Sequence, residues 1–339
     1  MLGLALTLAL APTPAAEWHV GRGVASGSFR SCRFSLPAVL PAGVGSTYRV
    51  PPMRIADLYA AEGGPVLSLE FFTPKSEAGR KALFRAVERL RAIEPGFVSI
   101  TCGAAGTTRE RTADLAIELQ DRFGLTAMAH LVCTGTTRSE LDETLRHMQA
   151  HGIDNILALR GDPPKGATEW TPVEGGFRHA DELAAFVRER FSLGIGGACY
   201  PEKHHQAPSL EADIHNLKRK VDAGAQFLIT QLFFDNDRYW RFVDKVRAEG
   251  IDVPIVPGIM PVLNLANLQR IASLSPGTTI PPELEIAFRK AGDDDEASLQ
   301  AGVSFAAQQC RALLANGAPG IHFYTLNRSK ATLRTAAQF

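Results

Sequence analysis

Glu70, Thr101, His130, Arg160 with Asp162, Tyr200, Gln231, and Tyr324 followed by Asn327 and Arg328 each stand late in, or just after, an apolar run of this sequence. Between them they offer carboxylates and an imidazole for acid and base work, guanidinium groups for anions, and hydroxyl and amide groups for orienting a ligand. Taken singly each has a structural explanation: Glu70 as a salt bridge at a barrel mouth, His130 as a hydrogen-bonded core histidine, Gln231 as a backbone tether, Arg160 with Asp162 as an ion pair. Their convergence on one rim changes the reading, because burying that many polar groups without a ligand is costly. A ligand-filled cavity is expected.

Glu70 sits in LEFFTP beside Leu69, Phe71 and Phe72. An apolar setting would keep its carboxyl protonated as a general acid. Asp162, on a Gly-Asp-Pro-Pro turn, should be better solvated and stay ionised. Two carboxylates in different environments suggest an acid and an electrostatic partner.

The elements that must position these residues repeat. After Gly64 the chain alternates a short run rich in β-branched and aromatic residues, a polar or glycine-containing turn, and a helical stripe, each unit taking roughly thirty residues. The runs are VLSLEFF (66–72), FVSITCG (97–103), TAMAHLVC (126–133), NILALRGD (155–162), GIGGACYP (194–201), FLITQLFF (227–234), PIVPGIMP (254–261) and GIHFYTLN (320–327). Helical stripes lie between them, such as Leu141, Leu145 and Met148, or Tyr239, Phe242, Val243 and Val246. Ser139 and Ser209 stand where N-caps belong. Strands apolar on both faces and alternating with helices predict a parallel sheet, and eight of them predict a single-domain α/β fold closed as a (β/α)₈ TIM barrel. The stretch from 262 to 319, with its acidic turn Asp293–Glu296 and a second helix around Val303 to Leu314, predicts an extra helical excursion between strands seven and eight.

Composition narrows the function. The 339 residues are 45% hydrophobic and 21% charged with no net charge, so a globular chain is expected, with neither a nucleic-acid footprint nor an acidic tail. The cysteines Cys32, Cys102, Cys133, Cys199 and Cys310 are scattered without a C-x-x-C pair, which argues against a disulfide framework and a structural zinc site and for a reducing cytoplasm. No apolar run is long enough to span a membrane. His204 and His205 have no second ligand cluster at a recognisable spacing, so no metal is expected. There is no G-x-G-x-x-G after a strand and no Walker A sequence, so a nucleotide cofactor would have to bind on the barrel rim. After YPEKHH, the helix SLEADIHNLKRKVDAG places Asp213, Asn216 and Lys220 on one face.

The N-terminal MLGLALTLALAPTPAA is incomplete as a signal peptide, lacking a basic n-region. Residues 17–50 show no periodicity, and MRIADLYAAEGG from Met53 reads as a proper N-terminus. Residues 1–52 are therefore expected to be a disordered extension or a misassigned start, and 53–339 the functional domain.

LEFFTPK, SITCGAAGTTRERT, AHLVC, LRGDPP, HADEL, ACYPEKHHQAPSLEADIHNLKRKVDAGAQFLITQLFFD, PGIMPV and HFYTLNR, in this order, resemble the methylenetetrahydrofolate reductases. The resemblance runs from about residue 66 to 330 and is most specific from Ala198 to Asp235. It implies a barrel that binds FAD noncovalently, takes hydride from NADH or NADPH, and reduces 5,10-methylenetetrahydrofolate to 5-methyltetrahydrofolate by ping-pong kinetics, supplying methyl groups for methionine synthesis. Carried over, Glu70 would protonate folate N10 and Asp162 would lie near the flavin and pterin. Gln231 would hydrogen-bond the pterin or nicotinamide, and Arg328 would hold the folate. FAD would be held by Thr101, Ala104, His130, Arg160, Gly161, Asp162, His179, Ala180, Tyr200, His204, Ala207, Asp213, Asn216, Arg219 and Lys220. Relatives form dimers and tetramers, so a homo-oligomer is expected. One departure is Leu265, where bacterial relatives commonly place a phenylalanine that packs on the substrate. The chain ends at Phe339, so feedback by an S-adenosylmethionine-sensing domain is not expected.

On the residues alone, two other classes stay open. A TIM-barrel glycosidase would use Glu70 and Asp162 as its carboxylate pair, against which stand only three tryptophans and no convincing secretion signal. A flavin-binding assembly subunit would keep the barrel without turnover, against which stands retention of Glu70, Asp162 and Gln231. A Schiff-base aldolase needs a lysine late in a strand, and none of the runs has one.

Overall fold

Apolar residues on both faces of each strand require helices to cover a parallel sheet, and eight strand and helix units favour closing it into a barrel. The computed structural model describes residues 53–103, 108–162, 172–275 and 277–339, and within them that architecture is what forms. The expected extension over 1–52 lies outside the described residues. The elements are α1 (Ile55–Ala60), β1 (Val66–Phe72), α2 (Glu77–Leu90), β2 (Phe97–Thr101), α3 (Arg109–Phe123), β3 (Ala127–Val132), α4 (Arg138–Ala150), β4 (Asn155–Leu159), α5 (Ala180–Arg190), β5 (Gly194–Cys199) and α6 (Leu210–Asp222). They continue with β6 (Phe227–Thr230), α7 (Asn236–Ala248), β7 (Ile255–Val256), β8 (Gly258–Ile259), α8 (Leu265–Leu274), α9 (Pro282–Ala291), α10 (Asp295–Ala315), β9 (Gly320–Tyr324) and α11 (Lys330–Ala336).

All strands pair in parallel, in the order β7-β6-β5-β4-β3-β2-β1-β9-β8. The run expected as one strand over 254–261 is two short segments on either side of Pro257, whose missing N–H interrupts the ladder. β7 pairs with β6 and β8 with β9, so the two halves of one strand close the barrel. Pro257 still accepts the N–H of His322 at 2.9 Å, and Gly258 N–H turns to Thr230 Oγ1 at 2.9 Å.

The apolar side chains form separate layers. Leu69, Phe71, Leu83, Val87, Ile100 and Leu145 fill the space between sheet and helices. Phe97, Met128, Leu157, Phe227 and Val256 fill the barrel's interior, where Ile55 of α1 joins them. Asn155 anchors this N-terminal plug, its Oδ1 accepting Ile55 N–H at 2.8 Å and its Nδ2 donating to the Met53 carbonyl at 2.7 Å. With the N-terminal end plugged, polar groups can gather only at the C-terminal end, where barrels do their chemistry.

The helical excursion expected between the last two strands of the barrel is present, and among the described residues it holds three helices, the expected one around Val303 to Leu314 lying within α10. α8 and α9 bring Leu268, Ile271, Leu284 and Phe288 onto Leu232, Phe234, Met260 and Tyr324, and α10 follows as the outer helix before β9. Ser209 caps α6, as expected, by accepting Ala212 N–H. Ser139 does not cap α4: Thr137 does, in a reciprocal capping box with Glu140, so the helix begins earlier and Ser139 lies inside it. Most strands also end sooner than the apolar runs that predicted them, and Arg160, Asp162, Tyr200, Gln231, Asn327 and Arg328 stand beyond the ladder on the rim. Among the described residues no helix is long and apolar enough to cross a membrane.

Candidate active site

Strand alternation sets the surroundings of Glu70. Leu69 and Phe71, its sequence neighbours, belong to the layer facing the helices, so they do not form the apolar setting expected from LEFFTP. Glu70 instead lies opposite Ser99 and Tyr324 in the ladder, 4% exposed, with Oε2 at 3.5 Å from His130 Nε2 and 3.6 Å from His322 Nε2. His322 is in turn held by Ser68, whose Oγ is 2.8 Å from Nδ1, and approached by Ser99 Oγ at 3.5 Å from Nε2. Tyr324 donates its hydroxyl to the Thr230 carbonyl at 2.6 Å. Glu70 Oε2 and both ring nitrogens of His130 are buried without a hydrogen-bond partner among the described residues. Buried polar groups of this kind are uncommon in folded proteins, and a catalytic role is one reason for them. His322 escaped sequence reading, although it stands two residues before Tyr324 on the same strand face.

Burial lowers the His130 imidazole to about 4, with His322 adding to the effect and Glu70 opposing it, so this ring is neutral near pH 7. In an unfolded chain its pKa would be about 6.5. Between these values the unfolded chain binds a proton that the folded chain refuses, so stability is complete above the unfolded value and is lost as the pH falls toward the folded one. The loss from this residue is about 3 kcal/mol. Urea unfolding from pH 7 to 4 should show the decline, and His130→Gln should flatten it. Equal slopes in the two proteins would contradict this.

Beside the mouth, the loops after β4 and β5 and the inner side of α6 enclose a cavity of about 380 Å³. Arg160, Gly161, Asp162, His179, Ala180, Tyr200, His204, Ala207, Asp213, Asn216, Arg219 and Lys220 all line it. The β3–β4 pairing persists beyond the strands to hold this rim, Thr134 donating both N–H and Oγ1 to the Arg160 carbonyl at 2.9 and 2.6 Å. Gly161 follows at φ 90, and a Cβ there would run into the Val132 side chain. Only glycine suits that position.

The β5–α6 loop is fixed by charged side chains. His204 N–H donates to Asp213 Oδ2 at 2.8 Å, and Lys203, left-handed at φ 74, sends Nζ to the Ala207 carbonyl at 2.5 Å. The Tyr200 ring meets His204 edge-on at 4.7 Å, and His204 stacks on His205 at 4.6 Å. Lys220 Nζ donates to the Ala198 carbonyl at 2.6 Å. It comes this close because β5 carries Gly197, where a Cβ would lie 2.8 Å from Lys220 Cδ. Burial raises the Asp213 carboxyl and lowers the Lys220 ammonium, while each charge favours the other. Burial, then His205 and Arg160, lower His204 to about 4. Asp181, not singled out in the sequence, lines the cavity and pairs with Arg219 at 2.6 Å. Among the described residues no three ligating side chains form a metal site.

The remaining candidates lie outside this cavity. Thr101 is buried, its carbonyl accepting from Thr73 Oγ1 and Thr112 Oγ1 at 2.9 and 3.1 Å. Gln231 donates its N–H to the Cys199 carbonyl at 2.8 Å, and its Oε1 accepts Leu232 N–H at 2.9 Å. Arg328 is exposed. Leu265 opens α8 and packs on the cluster that contains Tyr324. Ala104 lies outside the described residues.

A family described as methylenetetrahydrofolate reductase matches residues 54–339. The methylenetetrahydrofolate reductase (NADH) 1 of Arabidopsis thaliana is 40% identical over 283 residues, covering 80% of this chain and 48% of the relative. The chain thus spans about half the length, 48%, of the curated relative it matches there. The 5,10-methylenetetrahydrofolate reductase of Escherichia coli (strain K12) is 38% identical over 273 residues, covering 80% of this chain and 90% of the relative. Among solved structures, an uncharacterized protein from Clostridium thermocellum that binds two copies of 5-methyl-5,6,7,8-tetrahydrofolic acid superposes with a TM-score of 0.55. It covers 83% of this chain and 96% of that one at 14% identity, a likeness of fold alone.

Proposed function

The chain belongs to the methylenetetrahydrofolate reductase family, and on that premise we propose that it reduces 5,10-methylenetetrahydrofolate to 5-methyltetrahydrofolate with FAD and NADH or NADPH. The observation that carries this reading is Glu70, a buried carboxyl with an unpartnered Oε2 at the open end of the barrel, where a proton donor would be needed.

The cavity beside it fits FAD in the chemistry of its donors. Lys220, Arg219 and Arg160 are cations suited to a diphosphate, and the amide end of α5 at Ala180 adds its partial positive charge. Tyr200, with neutral His204, offers ring surface, and Asp213 and Asn216 offer acceptors for hydroxyl groups. FAD bound there would accept hydride from the nicotinamide and return it to the folate's one-carbon unit. Thr101 and His130, placed at the mouth rather than in the cavity, would meet the part of the cofactor that reaches the barrel axis.

The chain's own part of the reaction is proton and charge management. Glu70 gives its proton to folate N10, the bond from N10 to the methylene carbon breaks, and that carbon remains on N5 as a cation that takes up hydride as a methyl group. Asp162, on the rim, would offset the positive charge as it develops. His130 and His322 lie beside Glu70, their Nε2 atoms 3.5 and 3.6 Å from Oε2, and Gln231 would present its amide nitrogen to the pterin or the nicotinamide. Arg328 pairs with the folate's carboxylates. Were the two substrates to exchange electrons with FAD in turn at this one site, the kinetics would be ping-pong. The family reading also favours a homo-oligomer in the cytoplasm.

The cofactor assignment is tested apart from turnover. The purified protein should carry FAD, released on denaturation and identified by its absorbance and fluorescence. Lys220→Met should weaken FAD binding on the order of tenfold to a hundredfold, the worth of one charge-assisted contact. Fluorescence titration of apoprotein measures this, and unchanged affinity would remove the diphosphate from this cavity.

A further inference from the structure

The turn after β9 holds two consecutive non-glycine residues in the left-handed region, Leu326 at φ 52 and Asn327 at φ 56. Asparagine tolerates that conformation and leucine resists it. Two such residues in succession persist only where their surroundings hold them, and strain of this kind collects at binding sites.

The Asn327 side chain does the holding. Its Oδ1 accepts Phe72 N–H at 2.7 Å and its Nδ2 donates to the Phe72 carbonyl at 3.0 Å. The carboxamide thus stands in for a backbone unit and carries the β1–β9 pairing past Tyr324, where the strand ends. One step earlier, Thr325 Oγ1 donates to the Glu70 carbonyl at 2.6 Å and accepts Asn327 N–H at 3.2 Å. One step later, Arg328 N–H closes the turn on the Thr325 carbonyl at 2.9 Å, and its side chain is exposed. Glycine would adopt this turn without strain, but it would have no amide to offer Phe72.

We propose that Asn327 is a positioning residue that locks the turn bearing Arg328 onto the strand bearing Glu70, and so sets where the folate lies against its proton donor. This rests on the folate-reductase reading of the site. A misplacement of the acid by a fraction of an ångström slows proton transfer, whereas the cofactor cavity, on the loops after β4 and β5, should feel little of it.

Asn327→Gly separates the amide from the backbone, since glycine keeps the left-handed φ and loses both bonds to Phe72. It should retain FAD and lose far more in the folate half-reaction than in the nicotinamide half-reaction. The folate KM should rise and the reoxidation rate fall on the order of tenfold to a hundredfold. Asn327→Asp keeps an acceptor for Phe72 N–H but loses the donor, and should fall between the glycine variant and the unsubstituted protein. Folate kinetics unchanged in Asn327→Gly would overturn the assignment while the functional reading stood. Parallel loss of FAD, both half-reactions and thermal stability in both variants would also overturn it, as the mark of a merely structural residue. An unsubstituted protein that binds FAD yet never passes electrons to methylenetetrahydrofolate would overturn the functional reading and this one with it.

Discussion

Glu70→Gln is expected to reduce the folate-dependent step by about 10³-fold, within the range that a positioned general acid contributes, while the protein keeps its fold. Glutamine preserves the shape of the side chain and its reach toward His130 and His322, which lie 3.5 and 3.6 Å from Oε2, but its amide has no proton to give N10. In the proposed reaction, reduction of the cofactor by the nicotinamide needs no acid at this position and should be far less affected. The contrast between the half-reactions is the informative part. A variant slowed equally in both would make Glu70 a structural or cofactor-binding group, and one slowed in neither would remove it from the reaction. Pre-steady-state absorbance of each half-reaction makes the comparison.

A second large effect is expected from Gly302→Val, in the fold rather than the chemistry. Gly302 lies buried in α10, where a Cβ would run into the carbonyl of Val262, just past the end of β8. The obstacle is backbone on both sides, so no rotamer change relieves it, and either the helix of 21 residues or the rim segment must move. Destabilisation of about 4 kcal/mol or more is expected, at the upper end for a single substitution. Urea denaturation would measure it, and a midpoint shift worth less than about 1 kcal/mol would mean that α10 stands off the rim.

Much of the architecture was legible because the barrel writes it in a simple code. VLSLEFF is a strand over the residues the pattern predicts, and Leu141, Leu145 and Met148 are buried along one helix stripe. What hydrophobicity cannot show is where a ladder ends. LRGD and CYP read as strand because apolar residues precede them, yet Gly161 turns left-handed and the chain leaves the sheet to form the rim. The split at Pro257 follows from one absent N–H. Thr137 displaced Ser139 as a cap because its partner Glu140 stands at the right spacing for a reciprocal pair.

The site was legible unevenly, for reasons of geometry. Asp213, Asn216 and Lys220 share a face by helical spacing alone, and they line one cavity. The surroundings of Glu70 were misjudged from neighbours in sequence, since alternation sends Leu69 and Phe71 to the other side of the sheet. Its actual neighbours, His130 and His322, come from strands distant in sequence. Applying the same alternation to Tyr324 would have found His322. The hold of Asn327 on Phe72 depends on two φ angles that no composition reveals.

Anaerobic stopped-flow on the purified protein, following the visible flavin absorbance, decides whether both halves of the proposed reaction occur. Bleaching by NADH or NADPH, followed by recovery on adding methylenetetrahydrofolate with methyltetrahydrofolate formed, is the expected result. Protein that carries no flavin, or reduced flavin that the folate fails to reoxidise, would contradict it.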